Sequence, residues 1–187
     1  RSFGGVVIAD EVQSGFGRLG NQMWAYQDDA VVPDIVTMGK PMGNGHPVSA
    51  LFTHRGLIES LDQAYNGNAY FNTFGGNPVS AAAALSVLDI IEEDCLIDQA
   101  GQVGDYLKKQ LMNKLQNKES VVEIRGKGLF LGIELDAPSK TEKAMEEMMH
   151  QGVLVGKTGP TNSVIKLRPP MTFKKEHADL LVEKLNQ

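Results

Sequence analysis

The sequence predicts an α/β chain: part of a large parallel-sheet domain followed by a small α+β C-terminal domain. Three observations carry that reading. First, Val6-Val7-Ile8-Ala9 is a glycine-bounded, largely β-branched run ending in Asp10-Glu11. This is the pattern of a strand buried on both faces of a parallel sheet. Second, short apolar segments then alternate with glycine- and proline-rich loops as far as one long helix ending near residue 93. Third, after Asp94 the chain changes to half-exposed helices and short strands. The boundary falls between residues 94 and 100, with 1–96 as the C-terminal half of the large domain and 97–187 as the small one.

The elements follow in order. Val6–Asp10 is the first strand, and Ser14–Gly20 a glycine-rich loop. Asp34–Met38 and Pro47–Thr53 are further strands, separated by the tight loop Gly39-Lys40-Pro41-Met42-Gly43-Asn44-Gly45. Asn77-Pro78 places a capping side chain before a proline at the first helical position. The helix from Val79 to Glu93 is apolar on more than one face, so it is expected to be well buried. Val103, Leu107, Leu111 and Leu115 recur at helical spacing with Lys and Gln between them. Val121–Arg125 and Leu129–Leu135 read as strands joined by Gly126-Lys127-Gly128. Ser139-Lys140-Thr141-Glu142 has capping-box spacing and opens a helix carrying Ala144, Met145, Met148 and Met149. Val153–Val155 and Val164–Leu167 are read as short strands, and a helix around Ala178–Leu185 closes the chain. A parallel strand needs neighbours on both sides and little precedes Val6. The chain is therefore expected to be part of a longer protein that includes an N-terminal portion.

Bulk properties narrow the function. The 187 residues carry 18 basic and 23 acidic side chains, a net charge of -5. No tract is rich in Lys and Arg, which gives no support for a nucleic-acid partner or an anionic membrane surface. No apolar run has the length of a membrane span. One cysteine, Cys95, excludes an internal disulfide and suits a reducing cytoplasm. The four histidines, at 46, 54, 150 and 177, show no metal-ligand spacing, so no metal site is expected. His46, beside the lysine loop, is the one of interest.

Three segments carry chemistry together that none carries alone. Asp10 ends a strand at the edge where open α/β sheets bind ligands. Lys40 follows a second strand in a glycine–proline loop. Asn72-Thr73-Phe74-Gly75-Gly76-Asn77-Pro78 leads into a helix N-terminus, which suits a phosphate. An acid, an amine and a phosphate-binding hydroxyl are what pyridoxal 5'-phosphate needs.

These residues are also recognisable. Ile8-Ala9-Asp10-Glu11-Val12-Gln13-Ser14-Gly15-Phe16-Gly17-Arg18 resembles the signature of class III pyridoxal-phosphate aminotransferases. The lysine segment, the segment from Asn72 to Pro78 and Arg125-Gly126-Lys127-Gly128-Leu129 match in the family's order, so the resemblance covers essentially the whole chain. It implies a fold-type I enzyme with Lys40 as the Schiff-base lysine and proton shuttle. It further implies that Asp10 pairs with the pyridine nitrogen and that Gln13 lies near the ring hydroxyl. Thr73 would reach the cofactor phosphate of a partner subunit, which implies a homodimer with shared sites. The family's other phosphate-binding turn and its ring-stacking aromatic lie upstream of Arg1, so this chain alone is expected to bind cofactor poorly.

Two segments resemble one branch of the family. Met38-Gly39-Lys40-Pro41-Met42-Gly43-Asn44-Gly45-His46-Pro47-Val48 and Val164-Ile165-Lys166-Leu167-Arg168-Pro169-Pro170-Met171 are similar to the ethanolamine-phosphate and phosphohydroxylysine phospho-lyases. Where many class III aminotransferases carry a carboxylate-binding arginine, this chain has Lys166. Arg168, two residues on, shares its face if the segment is a strand. The pair is a candidate for holding an anionic substrate group, or else lies on a solvated strand face. The expected activity is amino transfer from an amine or amino acid to a 2-oxo acid or aldehyde. The alternatives are phosphate elimination from a phosphorylated amine and, in a different class, a non-catalytic assembly module.

Overall fold

The computed structural model describes residues 1–68 and 70–186. Its contacts divide the chain into two units. The first holds residues 1–17 and 22–95, and the second residues 18–21 together with the chain from Leu96 onward.

In the first unit, β1 (Ile8–Asp10) pairs parallel with β2 (Ile35–Met38), and Asp10 lies opposite Thr37. β3 (Ala50–Thr53) pairs antiparallel with β2, Met38 facing Ala50. A mixed three-stranded sheet results, with the order β1-β2-β3. The strands are shorter than expected at their N-terminal ends: Val6, Val7 and residues 47–49 are not in the ladders. Asp34 pins the start of the sheet, where its Oδ2 accepts from the Val7 amide at 2.8 Å and from Arg1 Nε at 3.0 Å.

Two helices complete the unit. α1 (Arg55–Ala64) was not foreseen, because Gly56 weakens the helical signal just where the helix begins. α2 (Pro78–Glu93) begins as expected, with Asn77 Oδ1 accepting from the Ser80 amide at 2.9 Å. The expected burial of α2 is not met. Only Ala84 and Ile91 are buried, while Val79, Leu85, Leu88 and Ile90 are exposed. Within its unit α2 packs chiefly against the Lys40–Gly43 turn.

The second unit is built on an antiparallel sheet of order β4-β5-β7-β6. Its strands are β4 (Val121–Lys127), β5 (Phe130–Leu135), β6 (Gly156–Thr158) and β7 (Val164–Leu167). Three helices accompany them: α3 (Leu96–Leu115), α4 (Pro138–His150) and α5 (Lys175–Asn186). Alternation along β5 puts Leu131, Ile133 and Leu135 on the core face, with Ile165 and Leu167 from β7. Leu107, Leu111 and Leu115 of α3, Met148 of α4, and Ala178, Leu181 and Val182 of α5 close over that face. The helical stripe read from Val103 to Leu115 is thus the core face of α3.

Two expectations for this unit are corrected. Ser139 does not cap α4. The helix starts at Pro138 with Ala137 as its cap, and Thr141 is fully buried. Proline's fixed φ starts the helix earlier than the capping-box spacing suggested. Val153–Val155 is not a strand; β6 begins only at Gly156. Val153 and Val155 pack against the core from a loop, so their packing rather than a ladder explains them, while Leu154 between them is exposed. Among the described residues no helix is long and apolar enough to cross a membrane.

Candidate active site

Parallel pairing of β1 and β2 puts their C-terminal ends on one edge, with Asp10 at one end and Lys40 two residues beyond the other. That is the edge at which open α/β sheets place ligands. The Asp10 carboxylate is held from two sides. Its Oδ1 accepts from the Val12 amide at 3.2 Å and from Thr37 Oγ1 at 3.3 Å, and among the described residues Oδ2 has no partner. Thr37 escaped the sequence reading, although its register opposite Asp10 would have shown it.

The neighbouring Glu11 has a different part. It is 2% exposed, accepts from Ser14 Oγ at 2.7 Å and from the Tyr26 amide at 2.9 Å, and receives no cation. Its own N–H donates to the Thr37 carbonyl at 2.9 Å. Glu11 therefore fixes the turn after β1. Gly15 is packed so closely on Trp24 that an added Cβ would lie 2.8 Å from the indole ring. Gln13 is exposed on that turn.

Lys40 opens a single 3-10 turn, Lys40–Gly43, and its side chain is exposed. Its φ of 39° lies in the left-handed region, where an L-residue with a side chain costs about 1–2 kcal/mol. Nothing in the hydrogen bonding of the turn requires a lysine there. Strain of this kind gathers at functional positions that the surroundings over-determine.

Thr73 sits exposed in the turn 73–76 before α2. Asn72 Oδ1 accepts from the Phe74 amide at 3.0 Å, and Asn77 Nδ2 donates to the Phe74 carbonyl at 2.8 Å. The turn is thereby braced from both ends while the Thr73 hydroxyl stays unengaged. His46 Nε2 lies 2.8 Å from Ser80 Oγ, so the lysine loop touches the first turn of α2.

Asp10, Gln13, Lys40 and Thr73 all belong to the first unit, whereas Lys166 and Arg168 belong to the second. Lys166 lies on β7 on the face opposite the core, and Arg168 follows directly. Arg168 Nη1 donates to the carbonyls of Leu131 and Leu167, both at 2.8 Å, and its guanidinium lies 3.3 Å over the Phe130 ring. Burial, with the nearby charge of Arg18, pushes the Arg168 pKa down to about 10. Arg168 Nε is buried without a partner. Among the described residues neither Lys166 nor Arg168 has a carboxylate partner, although Arg125 on the same sheet pairs with Glu123 at 2.7 Å and with Glu134. Lys166 and Arg168 line a cavity of about 380 Å3, together with Leu154, Phe173, His177 and Leu180.

Arg18, the last residue of the first motif, makes its contacts within the second unit. Its Nη1 donates to the Pro169 carbonyl, and its own carbonyl accepts from the Leu129 amide at 3.0 Å.

A carboxylate with a free oxygen, a strained lysine with a free amine and an unengaged hydroxyl at a helix start fit a pyridine ring, an aldehyde and a phosphate. Known proteins resemble the chain as a whole. The family model for class-III aminotransferases matches residues 2–187. The chain is 46% identical to an alanine–glyoxylate aminotransferase 2-like protein of Drosophila melanogaster, across 96% of this chain and 38% of that protein. It is 39% identical to ethanolamine-phosphate phospho-lyase homolog 1 of Caenorhabditis elegans, across all of this chain and 42% of that one. Among solved structures, a phospholyase from Arthrobacter in complex with phosphoethanolamine matches with TM-score 0.92 and 47% identity, covering 100% of this chain and 45% of its own. A Bacillus anthracis aminotransferase matches with TM-score 0.91 and 32% identity, covering 99% and 44%. The chain thus spans about two fifths of the length of the curated relatives it matches. It belongs to the class-III aminotransferase family.

Proposed function

We propose that the protein is a pyridoxal-phosphate enzyme that moves an amino group from an amine or amino acid to a 2-oxo acid or aldehyde, with Lys40 at the reacting centre. The observation that carries this is the placement of Lys40. It is a strained, exposed lysine without a partner, on the same sheet edge as the oriented carboxylate of Asp10. Bound there, pyridoxal phosphate supplies an aldehyde for an amine and a ring that takes up the electron pair left when a substrate carbon loses its proton. Asp10, held at Oδ1 by Val12 and Thr37, keeps Oδ2 for the ring N–H. Gln13 would lie near the ring hydroxyl, and the Thr73 hydroxyl would hold a phosphate. The Lys40 amine would carry the proton that the substrate carbon gives up, while the bound ring would take up the electron pair.

The partners follow from the same reading. An N-terminal portion of the same protein covers α2 and the outer sheet face, whose apolar residues stand exposed in this chain, and completes the cofactor site. The protein forms a homodimer in which Thr73 serves the partner's site. Support comes from Tyr70, Phe71 and Phe74, all more than three quarters exposed on the turn that carries Thr73. A reducing compartment such as the cytoplasm suits the single exposed Cys95.

A second reading, phosphate elimination from a phosphorylated amine, is favoured by Lys166 and Arg168. Two cations without a carboxylate line one cavity, one of them with a buried, unpartnered N–H. Lysine is a point charge and suits a phosphate as well as a carboxylate. The test uses the full-length protein with pyridoxal phosphate, O-phosphoethanolamine and a 2-oxo acid. Amino acid formed from the 2-oxo acid without phosphate release supports amino transfer. Phosphate release without amino acid formation overturns it in favour of elimination.

A further inference from the structure

The loop that carries Lys40 is fastened to α2 by a histidine. His46 Nε2 lies 2.8 Å from Ser80 Oγ, in the first turn of the helix. Ser80 is itself fixed by the cap residue, since its N–H donates to Asn77 Oδ1 and its hydroxyl accepts from Asn77 Nδ2, both at 2.9 Å. The hydroxyl accepts from Asn77 with one lone pair and keeps its proton and its other lone pair, so it can bond His46 Nε2 in either ring tautomer. Asn77 Nδ2 also donates to the Phe74 carbonyl at 2.8 Å. A continuous path therefore runs from the Thr73 turn through Asn77 and Ser80 to His46.

At its other end the path enters the lysine turn. The His46 amide donates to the Gly43 carbonyl at 2.9 Å, closing the loop that starts at Lys40. The strain in that loop sits at Lys40, with φ 39°, since Asn44 and Gly45, with φ 43° and 105°, are residue types that accept positive φ. A backbone of this kind persists only where its surroundings hold it. Gly43 is held by close packing, since a Cβ there would lie 2.7 Å from Val48 Cγ1. The side-chain tie between the loop and α2 is His46.

We propose that His46 is a positioning residue: through Ser80, itself fixed by Asn77, it holds the strained Lys40 turn in one arrangement against the start of α2, so that the amine is presented to the cofactor. The inference rests on the reading of Lys40 as the cofactor lysine. The function of His46 is geometric, and it makes no contact with the reacting atoms.

The test follows attachment of pyridoxal phosphate to Lys40 in the full-length protein, stopped at set times with borohydride and counted by peptide mass spectrometry. Melting of the cofactor-free protein is recorded beside it. His46→Leu and Ser80→Ala should each slow attachment about tenfold, the order of penalty that misplacing a reacting group brings. Their combination should be no slower than either alone, because both remove the same bond. His46→Gln, whose amide reaches the place of Nε2, should stay close to wild type. The proposal is overturned if Leu and Ala variants attach cofactor at the wild-type rate, if the two losses multiply, or if Gln does no better than Leu. Ser80→Ala is the gentler change and decides the matter should His46→Leu fail to fold. A wild-type protein that never attaches cofactor at Lys40 overturns the reading of the site and this inference with it; indifferent variants of a protein that does attach overturn the inference alone.

Discussion

Removing the Asn77 side chain cuts three hydrogen bonds at once. In Asn77→Ala the Ser80 amide loses its acceptor, and the Phe74 carbonyl and Ser80 hydroxyl lose a donor. The cap itself is worth about 1 kcal/mol. The two neutral side-chain bonds lie in a largely exposed turn, which puts them at the lower end of the usual range, about 0.5 kcal/mol each. The loss is therefore about 2 kcal/mol, or a fall in melting temperature of about 4–8 °C for a chain of this length. Asn77→Asp separates the contributions. It keeps the acceptor, gains a favourable charge of about 0.5 kcal/mol at the helix start, and loses both donors. It should fall between wild type and Ala. The assay is thermal unfolding followed by far-UV circular dichroism. If Asn77→Ala melts with wild type, or Asp melts below Ala, the three bonds do not act as the geometry states.

Further predictions concern packing, pH and anions. Gly104→Ala places a Cβ 2.3 Å from the backbone of Gly128, about 1 Å short of ordinary contact, and neither backbone can swing aside. Overpacking of about 1–3 kcal/mol or more should outweigh the gain of about 1 kcal/mol from better helix propensity, lowering the denaturant midpoint. Asp34 is held below its ordinary pKa by the Val7 amide and then by Arg1. Its contribution is full above the unfolded pKa near 3.8 and is lost as pH falls through the folded value. Asp34→Asn should flatten the loss of melting temperature below about pH 4, measured against wild type across an acid series. If Lys166 and Arg168 form an anion site, inorganic phosphate at a hundred times its dissociation constant should stabilise the protein by about 2.7 kcal/mol. Arg168→Gln should abolish that gain while leaving far-UV dichroism unchanged; an equal phosphate effect in both proteins would assign the anion to other residues.

Much of the site could be read from sequence because its parts lie at the ends of short, strongly patterned elements. Asp10 closes a β-branched run, Lys40 stands between glycine and proline, and Asn77-Pro78 opens a helix; each is a local signal. Thr37 and Ser80 could not be read so, because their roles depend on register and on contacts between elements 27 and 34 residues apart. The left-handed φ of Lys40 was also invisible, since no glycine or asparagine stands there to announce it. In the fold, the core stripe of α3 followed from its period. The burial of α2 did not, because an apolar helix specifies only that something should cover it and not that this chain does. Val153–Val155 misled for a related reason: an apolar run serves a packed loop as well as a strand.

The central claim is that Lys40 holds the cofactor, and borohydride reduction of the full-length protein in the presence of pyridoxal phosphate tests it most directly. The account predicts one modified peptide, bearing the reduced cofactor on Lys40, and no modification in Lys40→Ala. Reduction that leaves Lys40 untouched, or marks another lysine with equal yield in Lys40→Ala, would contradict it.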